Sequence, residues 1–206
     1  MYLSRVEIDV NNRQKIKDLT HLGAYHNWVE TSFPKEIEKG ERLRHLWRLD
    51  HLYGRDYLLV LSSDKPDLNR LERYGIYGTG QTKDYVPFLN ELSTNKKYRF
   101  RLTANPTRKN VHDGKVYPHV TVEQQKKWLL DKAGISGFSL SDVDFDVVSR
   151  DHATLYKGRK RIRLSRVSFE GVLEISDLNK FKETLIHGIG REKAYGMGLL
   201  TVIPLS

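Results

Sequence analysis

Three stretches of the sequence hold residue types that could do chemistry. In "GAYHNWVE", residues 23–30, His26 follows Tyr25 at the edge of an apolar stripe made by Leu22, Tyr25 and Val29. An imidazole takes and gives protons at neutral pH, so a histidine looking into a groove from a helix edge can act as general base or acid. The plainer alternative is a structural histidine held by its neighbours. In "YKGRKRIRLSR", residues 156–166, six side chains are basic and none is acidic. The third stretch, "HGIGREKAYGMGLL", spans residues 187–200 and sets Gly188, Gly190, Gly196 and Gly198 around Arg191 and Lys193. Glycine admits positive φ and close backbone approach, and clustered amides beside cations cradle phosphate. The plainer alternative here is a loop from a helix to a last strand, with Gly188 as the helix C-cap.

The basic stretch reads as a β-hairpin tip turning at Gly158. Pairing would project Lys157, Arg159, Lys160, Arg161 and Arg163 from one exposed ribbon. Charge protects edge strands from aggregation, but six cations in eleven residues exceed that need and favour a polyanionic partner. Arginine suits a structured duplex, because its fork binds phosphate bidentately and reaches base edges. Arg99, Arg101, Arg108 and Lys109 extend the expected surface. Tyr98 and Phe100 alternate with those arginines and read as core. The hydrophobic phase also changes along the second strand: Ile162 and Leu164 are even, Val167, Phe169 and Leu173 odd. A bulge near Ser165 would account for it.

Composition narrows the classes. The chain has 206 residues, 38% hydrophobic and 30% charged, enough for two domains of about 100 residues. Lysine and arginine outnumber acids 35 to 26, for a net charge of +9. With no cysteine, disulfides and thiolate zinc sites are excluded. Eight histidines include no close ligand pair, so no metal site and no cofactor are expected. No apolar run approaches the roughly 18 residues of a membrane span. The polar alternation of "MYLSRVEIDV" is unlike a signal peptide, and the cytoplasm is the expected location.

These residues need elements to hold them. "YLSRVEIDV" alternates as a half-buried strand, with Val6, Ile8 and Val10 inward. Helical spacing is predicted from Asn12 to about Ser32, ended by Pro34. "LRHLWRLD" and "YLLVLSS" make a hairpin about Gly54, and "PDLNRLERYG" a short helix. Residues 75–96 read as an irregular connector, with a domain boundary near residue 93. "KYRFRLTANP" is a strand and "TVEQQKKWLLDKAG" a helix, capped by the Thr121/Gln124 pair and stopped by Gly134. "DVDFDVV" and "RVSFEGVLEI" are strands, "DLNKFKETLIHG" a helix with Leu178, Phe181, Leu185 and Ile186 on one face, and "LLTVIP" the last strand. The expected fold is α+β: two tandem ferredoxin-like (RRM-like) domains, residues 1–92 and 93–206, each β-α-β-β-α-β.

The stretches "MYLSRVEIDV", "GAYHNW", "RFRLTANPT", "QKKWLLDKAGISGF", "RVSFEGVLEISD" and "GIGREKAYGMGLLTV", in that order along nearly the whole chain, resemble the CasE family. Its members are the CRISPR precursor-RNA-processing endoribonucleases of the type I-E Cascade complex. The "ANPT" after a basic strand and the closing glycine-rich loop are the most specific parts. The resemblance implies a CRISPR repeat RNA hairpin as substrate, metal-free cleavage at its 3′ base, and retention of the product among the other Cascade subunits. His26 matches the family's catalytic histidine. Gly188, Gly190, Gly196 and Gly198, with Arg191 and Lys193, would face RNA. Many members carry a tyrosine one helical turn before the histidine. This chain has Gly23 there and Tyr25 next to His26, with Ser32 and Lys35 nearby as further candidates for stabilising charge. Two rival readings remain: a non-catalytic RNA-binding subunit of the same fold, which needs no His26, and a basic DNA-binding or ribosome-associated protein.

Overall fold

A computed structural model of the chain describes residues 1–41 and 43–205, with the backbone alone at Lys157. Its contacts divide the chain into two compact units. Unit 1 comprises residues 1–90, 154–162 and 194–196; unit 2 comprises residues 91–153, 163–193 and 197–206.

Unit 1 runs β1 (Tyr2–Glu7), α1 (Leu22–Thr31), α2 (Pro34–Lys39), β2 (Leu46–Leu52), β3 (Arg55–Ser62), α3 (Leu68–Leu71) and β4 (Gln81–Asp84), and α4 (Val86–Glu91) follows. Its antiparallel sheet has the order β2-β3-β1-β4, so each crossover skips one strand, the ferredoxin-like arrangement. Alternation in β1 buries Ser4 and Val6, and Ile8 continues that face. Val10 does not: the strand has ended and its side chain is exposed. Strands β2 and β3 join through Tyr53 and Gly54, both at positive φ, the two-residue turn whose twist matches a hairpin. Trp28, Val29, Phe33, Trp47, Leu58 and Val60 fill the core, and the Trp28 indole N–H donates to the Leu71 carbonyl at 3.0 Å.

Two further expectations in this unit are corrected. The helix predicted from Asn12 begins at Leu22. Asn12 Oδ1 accepts from the Lys15 amide at 3.0 Å and the Asn12 carbonyl from the Ile16 amide at 3.2 Å, an isolated turn that does not continue as a helix. The supposed connector holds β4 and α4. The β4 sequence QTKD has no apolar alternation because it is an edge strand, recruited by its backbone pairing with β1 from Tyr2↔Asp84 to Arg5↔Gln81.

Unit 2 contains β5 (Lys97–Ala104), β6 (Thr107–Lys109), β7 (Val116–Pro118), α5 (Val122–Ala133), β8 (Phe138–Ser139), β9 (Phe145–Lys157), β10 (Lys160–Ile175), α6 (Leu178–His187) and β11 (Leu200–Pro204), apart from the tip of the β9–β10 hairpin. The sheet order is β11-β5-β10-β8, with β9 also paired to β10, a second ferredoxin-like unit. Tyr98, Phe100 and Leu102 of β5 are buried, as their parity predicts, beside Phe169, Leu173, Phe181 and Leu185. Thr121 and Gln124 form the expected capping box on α5. Gly134 is not the left-handed stop: it stays right-handed and opens a further short turn, and Gly137, at φ +80°, reverses the chain. The strand read over "DVDFDVV" begins later, at Phe145, and runs on to Lys157. Residues 107–118 add a separate two-stranded ribbon. None of the described helices is long and apolar enough to cross a membrane.

Candidate active site and RNA-binding surface

Helix α1 buries Leu22, Trp28 and Val29. At 100° per residue His26 falls 40° from Leu22 and 60° from Val29, so it sits on the border of the buried face. Its side chain is 35% exposed. The Nδ1 atom is turned inward, out of reach of water, and stands 3.8 Å from Glu30 Oε1, one turn further along α1. The ring meets Tyr195 edge-on, with centroids 5.6 Å apart. Tyr25 takes a different direction: it stacks on Trp47 at 6.0 Å and leans on Trp28 at 6.3 Å. The aromatic group set against His26 therefore comes from the glycine-rich loop, 169 residues away, rather than from its neighbour in the chain.

Behind His26 lies a polar cluster that sequence reasoning missed. Glu30 Oε1 is 2.9 Å from His45 Nδ1, and His45 Nε2 is 3.2 Å from Glu36 Oε1. His45 and Glu36 are buried, and the His45 ring stacks on Phe33 at 3.9 Å. Burial works against a charged imidazole. The hydrogen bond and charge of Glu30, and then those of Glu36, outweigh it, and the His45 pKa rises above its ordinary value. The i, i+4 spacing of His26 and Glu30 is visible in the sequence; nothing in it links either to His45.

Gly23 explains itself sterically. A Cβ there would lie 3.0 Å from the His21 imidazole and 3.9 Å from Leu155, so His21 fills the place a larger side chain would need. His21 in turn packs edge-on to Tyr156 at 5.1 Å. The hairpin tip thus packs within unit 1, through Leu155 and Tyr156, while residues from Arg163 onward belong to unit 2.

The glycine pattern of the terminal loop is set by backbone geometry. Gly188, Gly190, Gly196 and Gly198 all have positive φ. At Gly196 a Cβ would fall 2.5 Å from the Trp47 ring, whose indole N–H donates to the Ala194 carbonyl at 3.0 Å. At Gly198 it would fall 2.6 Å from the Ile189 carbonyl oxygen. Gly188 caps α6, giving its amide to Thr184, and Gly198 gives its own to Thr103. Two of the four amides expected to cradle phosphate are therefore engaged inside the protein. Arg191 is exposed; Lys193 is half-buried.

Arg159, Lys160, Arg161 and Arg163 are exposed on the β9–β10 hairpin, with Gly158 at φ +58° in its turn. The side chain of Lys157 lies outside the described residues. Arg166 forms a two-pronged pair with Asp151 at 2.6 and 2.8 Å. Arg99 and Arg108 are exposed, whereas Arg101 is half-buried and paired across strands with Glu170 at 2.6 Å. Lys35 is exposed at the start of α2, and Ser32 is buried, its hydroxyl donating to the Trp28 carbonyl. No group of three or more histidine or acidic side chains among the described residues is arranged to hold a metal ion.

A family model described as CRISPR associated protein matches residues 1–204. The CRISPR-associated endoribonuclease Cse3 of Thermus thermophilus is 29% identical over 99% of this chain and 100% of its own length. The structure of Thermus thermophilus Cse3 bound to an RNA representing a pre-cleavage complex aligns with a TM-score of 0.81, at 26% identity over 98% of both chains. Cas6e from Escherichia coli K-12 shares the fold over 100% of both chains, with a TM-score of 0.69 and 24% identity.

Proposed function

Since the chain belongs to the CRISPR-associated protein family, we propose that it is an endoribonuclease that binds the CRISPR repeat hairpin and cuts precursor RNA at the hairpin's 3′ base. Residues 1–92 form most of the domain that carries His26, which the hairpin tip and residues 194–196 join; residues 93–206 supply the basic hairpin and the glycine-rich loop. The observation that carries this reading is the setting of His26: one nitrogen buried toward a carboxylate, the ring partly open, and Tyr195 of the glycine-rich loop against it.

The chemistry needs little beyond what is in place. RNA carries its own nucleophile, the 2′-OH beside the scissile phosphate. Its oxygen attacks phosphorus in line, the P–O5′ bond breaks, and the products end in a 2′,3′-cyclic phosphate and a 5′-OH. One proton leaves the 2′-OH and one reaches the 5′ oxygen, and His26 serves that exchange. Tyr25 supports it indirectly, through the Trp47 stack that holds the loop carrying Tyr195. Arg191 and Lys193 oppose the charge that builds on the phosphoryl oxygens. The exposed hairpin cations Arg159, Lys160, Arg161 and Arg163, with Lys157, grip the stem, and Arg99 and Arg108 extend the surface. Arg101 contributes after exchanging Glu170 for phosphate. The Gly190 amide contributes to the RNA-facing side of the loop; Gly188, Gly196 and Gly198 shape it. The enzyme keeps its product as a Cascade subunit in the cytoplasm.

The test is single-turnover cleavage measured beside binding. His26→Ala should lose a factor of about 10² to 10⁴ in rate with hairpin affinity nearly unchanged. A hairpin with a 2′-deoxy residue at the scissile position should bind the wild type and resist cutting. Cleavage of the normal hairpin by His26→Ala at the wild-type rate would remove His26 from the chemistry. Tight binding without cutting, by wild type as well, would make the protein a binder only.

A further inference from the structure

We infer that Glu30, pinned by His45 and Glu36, is the positioning residue for His26: its carboxylate accepts a hydrogen bond from Nδ1–H and leaves Nε2 as the nitrogen that works on RNA. This rests on the proposed role of His26 and goes beyond it by naming the working nitrogen and what fixes it.

The geometry is directional. The His26 Nδ1 atom is buried without a hydrogen-bond partner, and the nearest acidic oxygen is Glu30 Oε1 at 3.8 Å. A buried polar atom of this kind destabilises the fold unless something satisfies it. A modest rotation of either side chain closes the gap, and catalytic hydrogen bonds are commonly long before substrate arrives. A neutral imidazole has one donor and one acceptor. A carboxylate only accepts, so a bond to Glu30 places the proton on Nδ1 and a lone pair on Nε2. The same logic governs a His–carboxylate pair in which the acid fixes tautomer and orientation without itself taking the proton.

Glu30 is held for that task. The same Oε1 that faces His26 is bonded to His45, and His45 is bonded on its other side to buried Glu36. An imidazole that donates from both nitrogens carries a proton on each and is positive. A positive group behind Glu30 stabilises its ionised form next to a site that must also admit a polyanion. Phe33, stacked on the His45 ring, locks its plane. On the open side of His26 the facing group is Tyr195, which the ring meets edge-on. Four titratable side chains from α1, α2 and the residue just before β2 thus line up as His26, Glu30, His45 and Glu36, with only the first directed at substrate.

The experiment combines nitrogen-15 imidazole spectra with single-turnover cleavage on the intact protein. In the wild type, the neutral form of His26 should carry its proton on Nδ1. Glu30→Gln keeps the shape and removes the negative acceptor. It should lower the cleavage rate by at least about tenfold, leave hairpin affinity unchanged, and raise the share of the Nε2–H form. His26→Ala runs alongside. Glu30→Gln cutting at the wild-type rate while His26→Ala is inactive would overturn the inference and leave the proposed function standing. A fully active His26→Ala would take both down. Should Glu30→Gln fail to fold, the wild-type spectrum decides: a neutral His26 protonated on Nε2 refutes the inference.

Discussion

His45 is the residue whose surroundings make the sharpest demand. Its imidazole is buried between two carboxylates, and their hydrogen bonds and charges lift its pKa despite the opposing effect of burial. The sign of the linkage is fixed by that direction. A group whose pKa is higher folded than unfolded contributes stability that is complete below the unfolded value, about 6.5, and is lost as pH rises through the folded value. Urea unfolding from pH 5.5 upward should therefore show a decline in stability that begins near pH 6.5, and His45→Gln should flatten that decline. A wild-type slope identical to the variant's would show that His45 gains no proton on folding. Gly196 makes a steric demand of comparable clarity. Its φ is +77°, and a Cβ would overlap the Trp47 ring. Gly196→Ala should lower unfolding stability by about 1–3 kcal/mol, read as a shift in the urea midpoint with unchanged slope. Much of this scale was legible in advance. The glycines announced a loop with special dihedrals, and His26 stood out by its place on the apolar stripe. Tyr195 did not, because no periodicity connects a loop residue to a helix 169 positions earlier.

At the scale of elements, regular periodicity was readable and edge pairing was not. Strand β5 alternates cleanly because one face is core, α5 carries its own capping box, and α6 buries Phe181 and Leu185 as its spacing predicts. Strand β4 has no buried face, so its only signature is a register with β1 that no local window contains. The β9–β10 hairpin shows both behaviours. Its turn at Gly158 and its charge were plain, but the packing of Leu155 and Tyr156 within unit 1 was not. That packing anchors the tip while Arg159, Lys160 and Arg161 stay exposed. An anchored cationic tip predicts a stoichiometric electrostatic role. Replacing Lys157, Arg159, Lys160 and Arg161 by glutamine should weaken hairpin affinity and reduce the dependence of log affinity on log salt by on the order of one unit per lost phosphate contact. Titrations at several salt concentrations measure both quantities, and an unchanged slope would take the hairpin out of the interface. Cleavage at saturating enzyme should fall far less than binding does, since none of these residues holds the reacting atoms.

For the molecule as a whole, the net charge of +9 and the matched element order pointed to a polyanion-binding pair of ferredoxin-like units. The chemistry it supports was legible mainly through resemblance, since a basic surface alone fits RNA, DNA and ribosome partners equally. What distinguishes them is the division of labour between protein and substrate. Metal ions serve phosphoryl transfer by activating water and neutralising oxygens. In the proposed reaction the substrate brings a 2′-OH, so no water needs activating; proton exchange is assigned to His26, steadied by Glu30, and neutralisation to arginine and lysine. Activity should therefore be independent of divalent cations once the hairpin is folded. Single-turnover cleavage in excess EDTA, with monovalent salt raised enough to keep the RNA stem intact, should match the rate in magnesium to within about twofold, a difference of under ~0.5 kcal/mol in barrier. The 2′-deoxy hairpin should stay uncut in both buffers, since it lacks the nucleophile. Loss of cleavage in EDTA, restored by magnesium while binding and hairpin melting are unchanged, would show that a cation performs the neutralisation assigned to the basic side chains. Cutting of the 2′-deoxy hairpin would show that water, not the RNA, attacks.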